Sequence, residues 1–470
     1  MEREPLSLAA RGEPKPAQQP PIPTQRLGQL RPSNACGRSS CLRLRVNRPQ
    51  YRSTLSIRSK YLSFALVKLG ALMPASIEQS APAFGIRLES DRPLKVMPIF
   101  GTRPEAVKMA PLINLLKSHA DFSVQVCVTA QQRQILDQVL EVFSITPDFD
   151  LDIMQQGQTL TQITTRALIG LEQVLAESRP DIVLAQGDTT TVLAAAMAAA
   201  YQKIAFGHVE AGLRSGDKFD PFPEELNRRL TGQITDLHFA PTQRAKENLL
   251  REGIDAQSVF LSGNTVIDAL FQKSEGLTRR ATPGQRMLLV TTHRRENWGE
   301  PLQQIALALR DIVQKFPDTR LVHCMHPNPV VRETLQQVLG GLDRVELREP
   351  PAYIEFVELM RSAHLVLTDS GGVQEEAPAL GLPVLVLRRT TERPEGVDAG
   401  TARLVGTDRE EIVRQASRLL SSDEAYGEMS RAANPYGDGK SSERIVEALR
   451  FWCGRGERPQ DFAYAGRADQ

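Results

Sequence analysis

From Leu94 onward the chain alternates short apolar runs with stretches of helical periodicity, and this alternation restricts its fold more than any other feature. Residues 96–100, 124–129, 181–185, 204–209 and 237–240 read as strands, separated by helical patterns at 109–118, 133–143, 160–177 and 191–201. Parallel strands need crossover helices, so a strand–helix alternation predicts βαβ units. A second series, with strands at 287–292, 320–324, 345–347, 364–368 and 384–387, follows a polar linker at 273–286 broken by Thr282-Pro283-Gly284. The expected fold class is α/β, with two Rossmann-like domains facing a central cleft. The first domain is expected at 93–272 and the second at 285–434. A helix within 435–453 is placed to cross back to the first domain, and 454–470 reads as a frayed tail.

Residues 1–92 are excluded from this fold. They carry 15 Lys and Arg against 6 Asp and Glu, leaving 42 against 50 for the remainder, so a net charge of +1 hides about +9 and −8. No acid occurs from Pro14 to Ile77. That bias resembles a transit peptide, but the preferred reading is a disordered tail or a gene start set too early, for instance with initiation at Met73. The acidic remainder argues against a nucleic-acid binder. Cys36, Cys41, Cys127, Cys324 and Cys453 form no C-x-x-C pair, which points to a reducing, cytoplasmic setting rather than a disulfide framework. No run reaches the ~18 apolar residues needed to span a bilayer, so no membrane partner is expected.

In open α/β sheets ligands collect beyond the carboxyl ends of the strands, and the unusual residues fall there repeatedly. The first strand exits into Gly101-Thr102-Arg103-Pro104-Glu105, and others exit into Gln186-Gly187-Asp188, Glu210-Ala211-Gly212 and His293-Arg294-Arg295-Glu296. Each has a plainer explanation. Asp188 could be a helix N-cap, Glu210 a loop acid, His293 part of a solvated charge run, and Glu224 and Glu225 first-turn acids. Convergence on one rim favours function. Gly439-Lys440-Ser441 lacks the earlier glycine of a P-loop, no G-x-G-x-x-G follows a strand, and His323-Cys324-Met325-His326 has no further ligand cluster. Neither metal nor cofactor is expected.

The stretch TDSGGVQEEAPALG, residues 368–381, sets bare glycines suited to an anion beside two carboxylates. With Gly372 as N-cap, Glu375 would be the N3 residue of a capping box and Glu376 would face the mouth of the helix. A nucleoside diphosphate reconciles the two features. Its phosphates would accept from N–H groups around Ser370, Gly371 and Gly372, and its ribose hydroxyls would donate to Glu376.

Ten ordered blocks, FGTRPEAVKMAPL, TAQQRQILDQVL, GDTTT, GHVEAGLRSGD, PEELNRRLTG, FLSGNTVIDAL, THRRENWGEP, DSGGVQEEAPALG, TTERPEG and NPYGDGKSSERI, run from about Phe100 to Ala448. In these the sequence resembles the non-hydrolysing UDP-N-acetylglucosamine 2-epimerases, whose two-domain fold is related to the GT-B glycosyltransferases. The resemblance implies interconversion of UDP-N-acetylglucosamine and UDP-N-acetylmannosamine, through 2-acetamidoglucal, for cell-surface polysaccharide precursors. It implies a catalytic set of Asp188, Glu210, Glu224 and His293. Substrate contacts would come from Arg103, Lys108, Phe356, Ser370, Gly371, Gly372, Glu376 and Arg393. It also implies a homodimer and, at Gln131, Gln134, Arg294 and His326, a possible site for an activating second UDP-sugar. Gly157 departs from the activator pattern where an arginine is usual, and Pro351 departs where a glutamine often meets uracil. Two alternatives share the nucleotide-gripping features: a GT-B glycosyltransferase, and a UDP-sugar sensor without turnover.

Overall fold

The first strand is apolar on both faces, and both faces are covered. The computed structural model describes residues 92–130, 133–277 and 284–464, without the side chains of 133–135. The extension up to residue 91, linker residues 278–283 and tail residues 465–470 lie outside the described residues. Strand β1 (Leu94–Phe100) turns Leu94, Val96 and Phe100 into one apolar cluster, and Met97 and Ile99 into another on the opposite face. Successive strand residues point to opposite sides, so a doubly covered strand is apolar throughout.

Around β1 the first lobe builds β2 (Phe122–Val124), β3 (Cys127–Val128), β4 (Phe149–Asp150), β5 (Ile182–Gln186), β6 (Ala205–Val209), β7 (Leu237–Ala240) and β8 (Val259–Leu261). Their order is β4-β3-β1-β5-β6-β7-β8, all parallel, with β2 also on β1. The strand expected at 124–129 is divided into β2 and β3, and the Asp148 carboxylate accepts from the intervening Val126 N–H at 2.7 Å.

The second lobe is a parallel sheet of β9 (Arg286–Thr292), β10 (Thr319–Met325), β11 (Val345–Arg348), β12 (Leu365–Thr368), β13 (Val384–Val386) and β14 (Ala402–Leu404), in the order β11-β10-β9-β12-β13-β14. Leu288 and Val290 face one core, Met287 and Leu289 the other. In each sheet the order reverses about one strand. The reversal lies between β1 and β5 in the first and between β9 and β12 in the second. Such switch points leave a crevice at the strand ends.

Two C-terminal features bear on the lobes. Helix Ser441–Trp452 returns to the first lobe, burying Ile445, Val446, Ala448, Leu449 and Trp452 with the β1 core. Its N-terminal N–H groups on Ser441 and Ser442 donate to the Asp268 carboxylate at 3.2 and 2.7 Å, so the Gly439-Lys440-Ser441 echo of a P-loop is a capped helix end. The expectation of a frayed tail from Gly454 is corrected for residues 455–464. Phe462 is buried and donates its N–H to the Leu261 carbonyl, Asp461 accepts from the Leu261 N–H, and Arg458 donates to the Gln257 and Val259 carbonyls. This segment covers the β8 edge, whose backbone would otherwise lack partners on that side.

Among the described residues no helix is long and apolar enough to cross a membrane. Leu449→Ala should weaken the first lobe by about 2–5 kcal/mol, the usual cost of truncating a fully buried leucine. A fall in melting temperature without loss of the helical circular-dichroism signal checks it.

Candidate active site

The β1–β5 switch point presents two loops to the crevice. Arg103 is the first residue of helix Arg103–Ser118, directly after the Gly101-Thr102 turn, and is exposed. Gly101 is bare for structural reasons, since a Cβ there would lie 2.0 Å from Thr129 Oγ1. Glu105 holds the turn: its carboxylate accepts from the Gly101 and Thr102 N–H groups at 3.1 and 2.7 Å and from Thr189 Oγ1 at 2.6 Å. One buried carboxylate therefore joins the loop carrying Arg103 to the loop carrying Asp188. The sequence reading missed it, although Thr102 followed three residues later by Glu105 is a capping-box signature.

Asp188 is half-buried after β5. Arg228 Nη1 approaches its carboxylate at 3.3 Å, and Asn227 Nδ2 donates to its carbonyl at 2.9 Å. Both belong to helix Glu224–Gln233, which brings Glu224 at its N-terminus to the same side of the lobe. Glu225, buried beside it, accepts from the Ser215 N–H and pairs with Arg228 and Arg229, so it serves the packing of this segment. Burial pushes the Asp188 carboxyl above its ordinary range; Arg228 partly offsets this and the Glu210 charge adds to it.

Glu210 follows β6 with φ of 63°, a left-handed conformation uncommon for a residue with a side chain. Its carboxylate accepts from Lys108 Nζ at 2.5 Å and Asn264 Nδ2 at 3.0 Å, with Arg393 Nη2 at 4.0 Å. Burial works against its ionisation, but Lys108 and Arg393 prevail and hold the carboxyl below its usual range. Asp188 and Glu210 thus stand in one charge environment with carboxyl groups shifted in opposite directions.

The second lobe departs from the expectation in its helix end. The helix is Gly371–Ala379 with Ser370 as N-cap, two residues earlier than expected, so Glu375 lies beyond capping reach. It is instead buried against Arg393 Nε and accepts from Asn264 Nδ2 at 2.8 Å. The Ser370 N–H donates to Thr368 Oγ1 at 2.9 Å, leaving Gly371, Gly372 and Val373 to present the first-turn N–H groups. A Cβ on Gly371 or Gly372 would meet no protein atom closer than 3.9 or 3.7 Å, so the bare positions leave room for something beyond the chain's own packing. Glu376 accepts from the Tyr353 hydroxyl at 3.3 Å, and its carboxyl is pushed up to about 7 by burial and the Glu375 charge. Arg103 lies within electrostatic reach of Glu376 from the opposite lobe. Phe356, one helical turn after Tyr353, is half-buried against the second-lobe core.

His293 follows β9. Its Nδ1 lies 2.9 Å from an Asp369 oxygen, and Asp369 also accepts from the His293 and Arg294 N–H groups at 3.0 Å and from Asn297 Nδ2 at 2.9 Å. Wholly buried Asp369 thus fixes the imidazole by one edge, while the ring is 43% exposed and keeps its other edge open. Burial, with a smaller contribution from nearby His293, pushes the His326 imidazole down, and Arg294 pairs with Glu392 at 3.5 Å, so these two stand on the His293 side. Gln131 and the Gln134 side chain lie outside the described residues. Gly157 is exposed with φ of 72°. Among the described residues no group of three His, Cys, Asp or Glu is arranged to hold a metal ion.

The sequence model of the UDP-N-acetylglucosamine 2-epimerase family matches residues 114–450. The chain belongs to that family. A UDP-N-acetylglucosamine 2-epimerase of Bacillus subtilis is 55% identical over 374 residues, covering 78% of this chain and 98% of the relative. The crystal structure of a putative UDP-N-acetylglucosamine 2-epimerase from Listeria monocytogenes superposes with a TM-score of 0.75 at 52% identity, covering 79% of this chain and 99% of that one. A UDP-GlcNAc 2-epimerase from Neisseria meningitidis, solved bound to UDP-GlcNAc, gives 0.71 at 47%, covering 76% and 99%. The two parallel-sheet lobes of this epimerase-family chain are thus GT-B-like.

The buried pairing yields a test independent of turnover. Lys108→Met leaves Glu210 without its closest cation and should cost about 3–5 kcal/mol. Adding Glu210→Gln should recover part of that loss, as read by paired denaturant melts.

Proposed function

We propose that this cleft interconverts UDP-N-acetylglucosamine and UDP-N-acetylmannosamine by anti elimination and re-addition of UDP. The observation that carries this reading is the shared environment of Asp188 and Glu210, reached by Arg393 from the lobe with the glycine-bearing helix end. The C2 proton of the sugar is not beside a carbonyl, so its removal alone would leave an unstabilised carbanion. Elimination avoids that. A base takes the C2 proton as the C1–O bond breaks, C1=C2 forms, and the bonding pair leaves with the diphosphate. In return a diphosphate oxygen attacks C1, while an acid on the opposite face protonates C2.

Such a cycle needs two groups of opposite proton affinity. Glu210, whose carboxylate is favoured by Lys108 and Arg393, is assigned as the base, and Asp188, whose carboxyl burial shifts upward, as the acid. Glu224 joins them from the helix that also supports Asp188. His293, braced by Asp369, assigns its open edge to the departing diphosphate together with Arg103, Lys108 and Arg393. Gly371 and Gly372 N–H groups and the Ser370 hydroxyl would receive phosphate oxygens, Glu376 the ribose hydroxyls, and Phe356 the uracil. Pro351 offers no side-chain amide, so uracil polar contacts fall to backbone groups. Arg294, His326, Gln131 and Gln134 are assigned to the activator pattern, weakened by Gly157. We place the protein in the cytoplasm as a homodimer, consistent with family membership and with buried free thiols at Cys127, Cys324 and Cys453.

Incubating the purified protein with UDP-GlcNAc alone in D2O should place deuterium at C2 in both epimers. Binding without exchange or UDP release would favour a sensor, and exchange-free release of UDP with transfer of the sugar to water a glycosyltransferase. Asp188→Asn and Glu210→Gln should each lower kcat by more than about 10²-fold while UDP binding persists; full turnover in either removes that residue's role. Asp369→Asn should lower kcat about 10²–10⁴-fold through loss of histidine orientation, with KM little changed.

Glu376 gives a pH dependence. Its carboxyl is raised to about 7 in the free protein, and ribose hydroxyls bind its ionised form better, so affinity is weaker below that value and rises as the proton leaves. KM for UDP-GlcNAc should therefore fall between roughly pH 6 and 8, and Glu376→Gln should flatten that limb.

A further inference from the structure

Asn264 caps helix Thr265–Ser274, its Oδ1 accepting from the Val266 N–H at 3.2 Å. That bond fixes the sense of the amide, so Nδ2 must face the other way. There it donates to two carboxylates from different lobes, Glu210 Oε2 at 3.0 Å and Glu375 Oε2 at 2.8 Å. The other Glu375 oxygen is bonded to Arg393 Nε, and Asn434 Nδ2 steadies the Glu375 carbonyl at 3.3 Å. Both carboxylates and the amide are buried.

We infer that Glu375 is a positioning residue for the reaction: it orients Arg393 and, through the Asn264 amide, sets Glu210 of one lobe against the diphosphate-binding helix of the other. This rests on the proposed epimerisation. Glu375 itself touches Arg393 and Asn264, and its effect on the reacting atoms passes through them. During the interval between elimination and re-addition, 2-acetamidoglucal and UDP are separate molecules, and the tie keeps the two lobes in register around them.

The test uses the full chain with Glu375→Gln, which keeps the shape and one acceptor but removes the charge facing Arg393. Expected are a kcat lowered about 10²–10³-fold, UDP affinity by calorimetry within about threefold of the parent, and a larger fraction of turnovers released as free 2-acetamidoglucal plus UDP, counted by NMR. Glu375→Asp, retaining the charge, should recover part of kcat. Combining Glu375→Gln with Asn264→Ala should cost less than the product of the two single losses, because the Asn264–Glu375 bond is common to both. Unchanged kcat and glucal release in Glu375→Gln, or losses that multiply in the double variant, overturn the inference. Should Glu375→Gln fail to fold, glucal release by Asn264→Ala decides in the same sense. A parent that incorporates no deuterium overturns the epimerase reading and this inference together; an active parent with an unaffected Glu375→Gln overturns this inference alone.

Discussion

Two buried carboxylates, two half-buried cations and one amide hold the centre of this molecule: Glu210 and Glu375, Lys108 and Arg393, around Asn264. Burying an ion costs several kcal/mol unless it is paired and hydrogen-bonded. Each member is tolerable only because the others are present. They come from the helix after β1, the end of β6, the helix after β12, the segment after β13 and the cap that follows β8. Both sheets must therefore be correctly formed, and correctly opposed, before the charges balance. The left-handed backbone at Glu210 costs on the order of 1–3 kcal/mol, and the Ala211 N–H to Phe239 carbonyl bond at 3.0 Å helps to retain it.

The fold was legible where burial imposes a long pattern. β1, β9 and β10 are doubly covered and seven residues each, so their apolar runs stand out. β4, β8 and β14 are two or three residues long and escaped notice, because so short a run has no period to show. The docked segment at 455–464 was invisible for a different reason. Its hold on β8 comes from arginine contacts to backbone carbonyls and one buried Phe462, none of which leaves a repeating pattern.

The candidate site was legible in part, through residues whose type is odd for a strand exit. Asp188, Glu210 and His293 qualified on that ground. Asp369, within residues 368–381, has the ordinary look of an aspartate before a helix; its carboxylate instead accepts from the turn that follows β9. Glu375 was misassigned because the helix begins two residues earlier than the glycine pair suggests. Asn264 had no sequence signal at all beyond its cap, and its second task depends on a carboxylate 111 positions away.

The returning helix Ser441–Trp452 has a mechanical consequence. A chain that joins two bodies by one strand of backbone leaves them free to swivel about it. Here the backbone leaves the first lobe after helix Thr265–Ser274 and re-enters it before Ser441, and the re-entry is anchored by Asp268 from that same helix. Bodies joined at two places are less free to twist against one another than bodies joined at one. The anchored re-entry before Ser441 therefore restricts how the two lobes can turn.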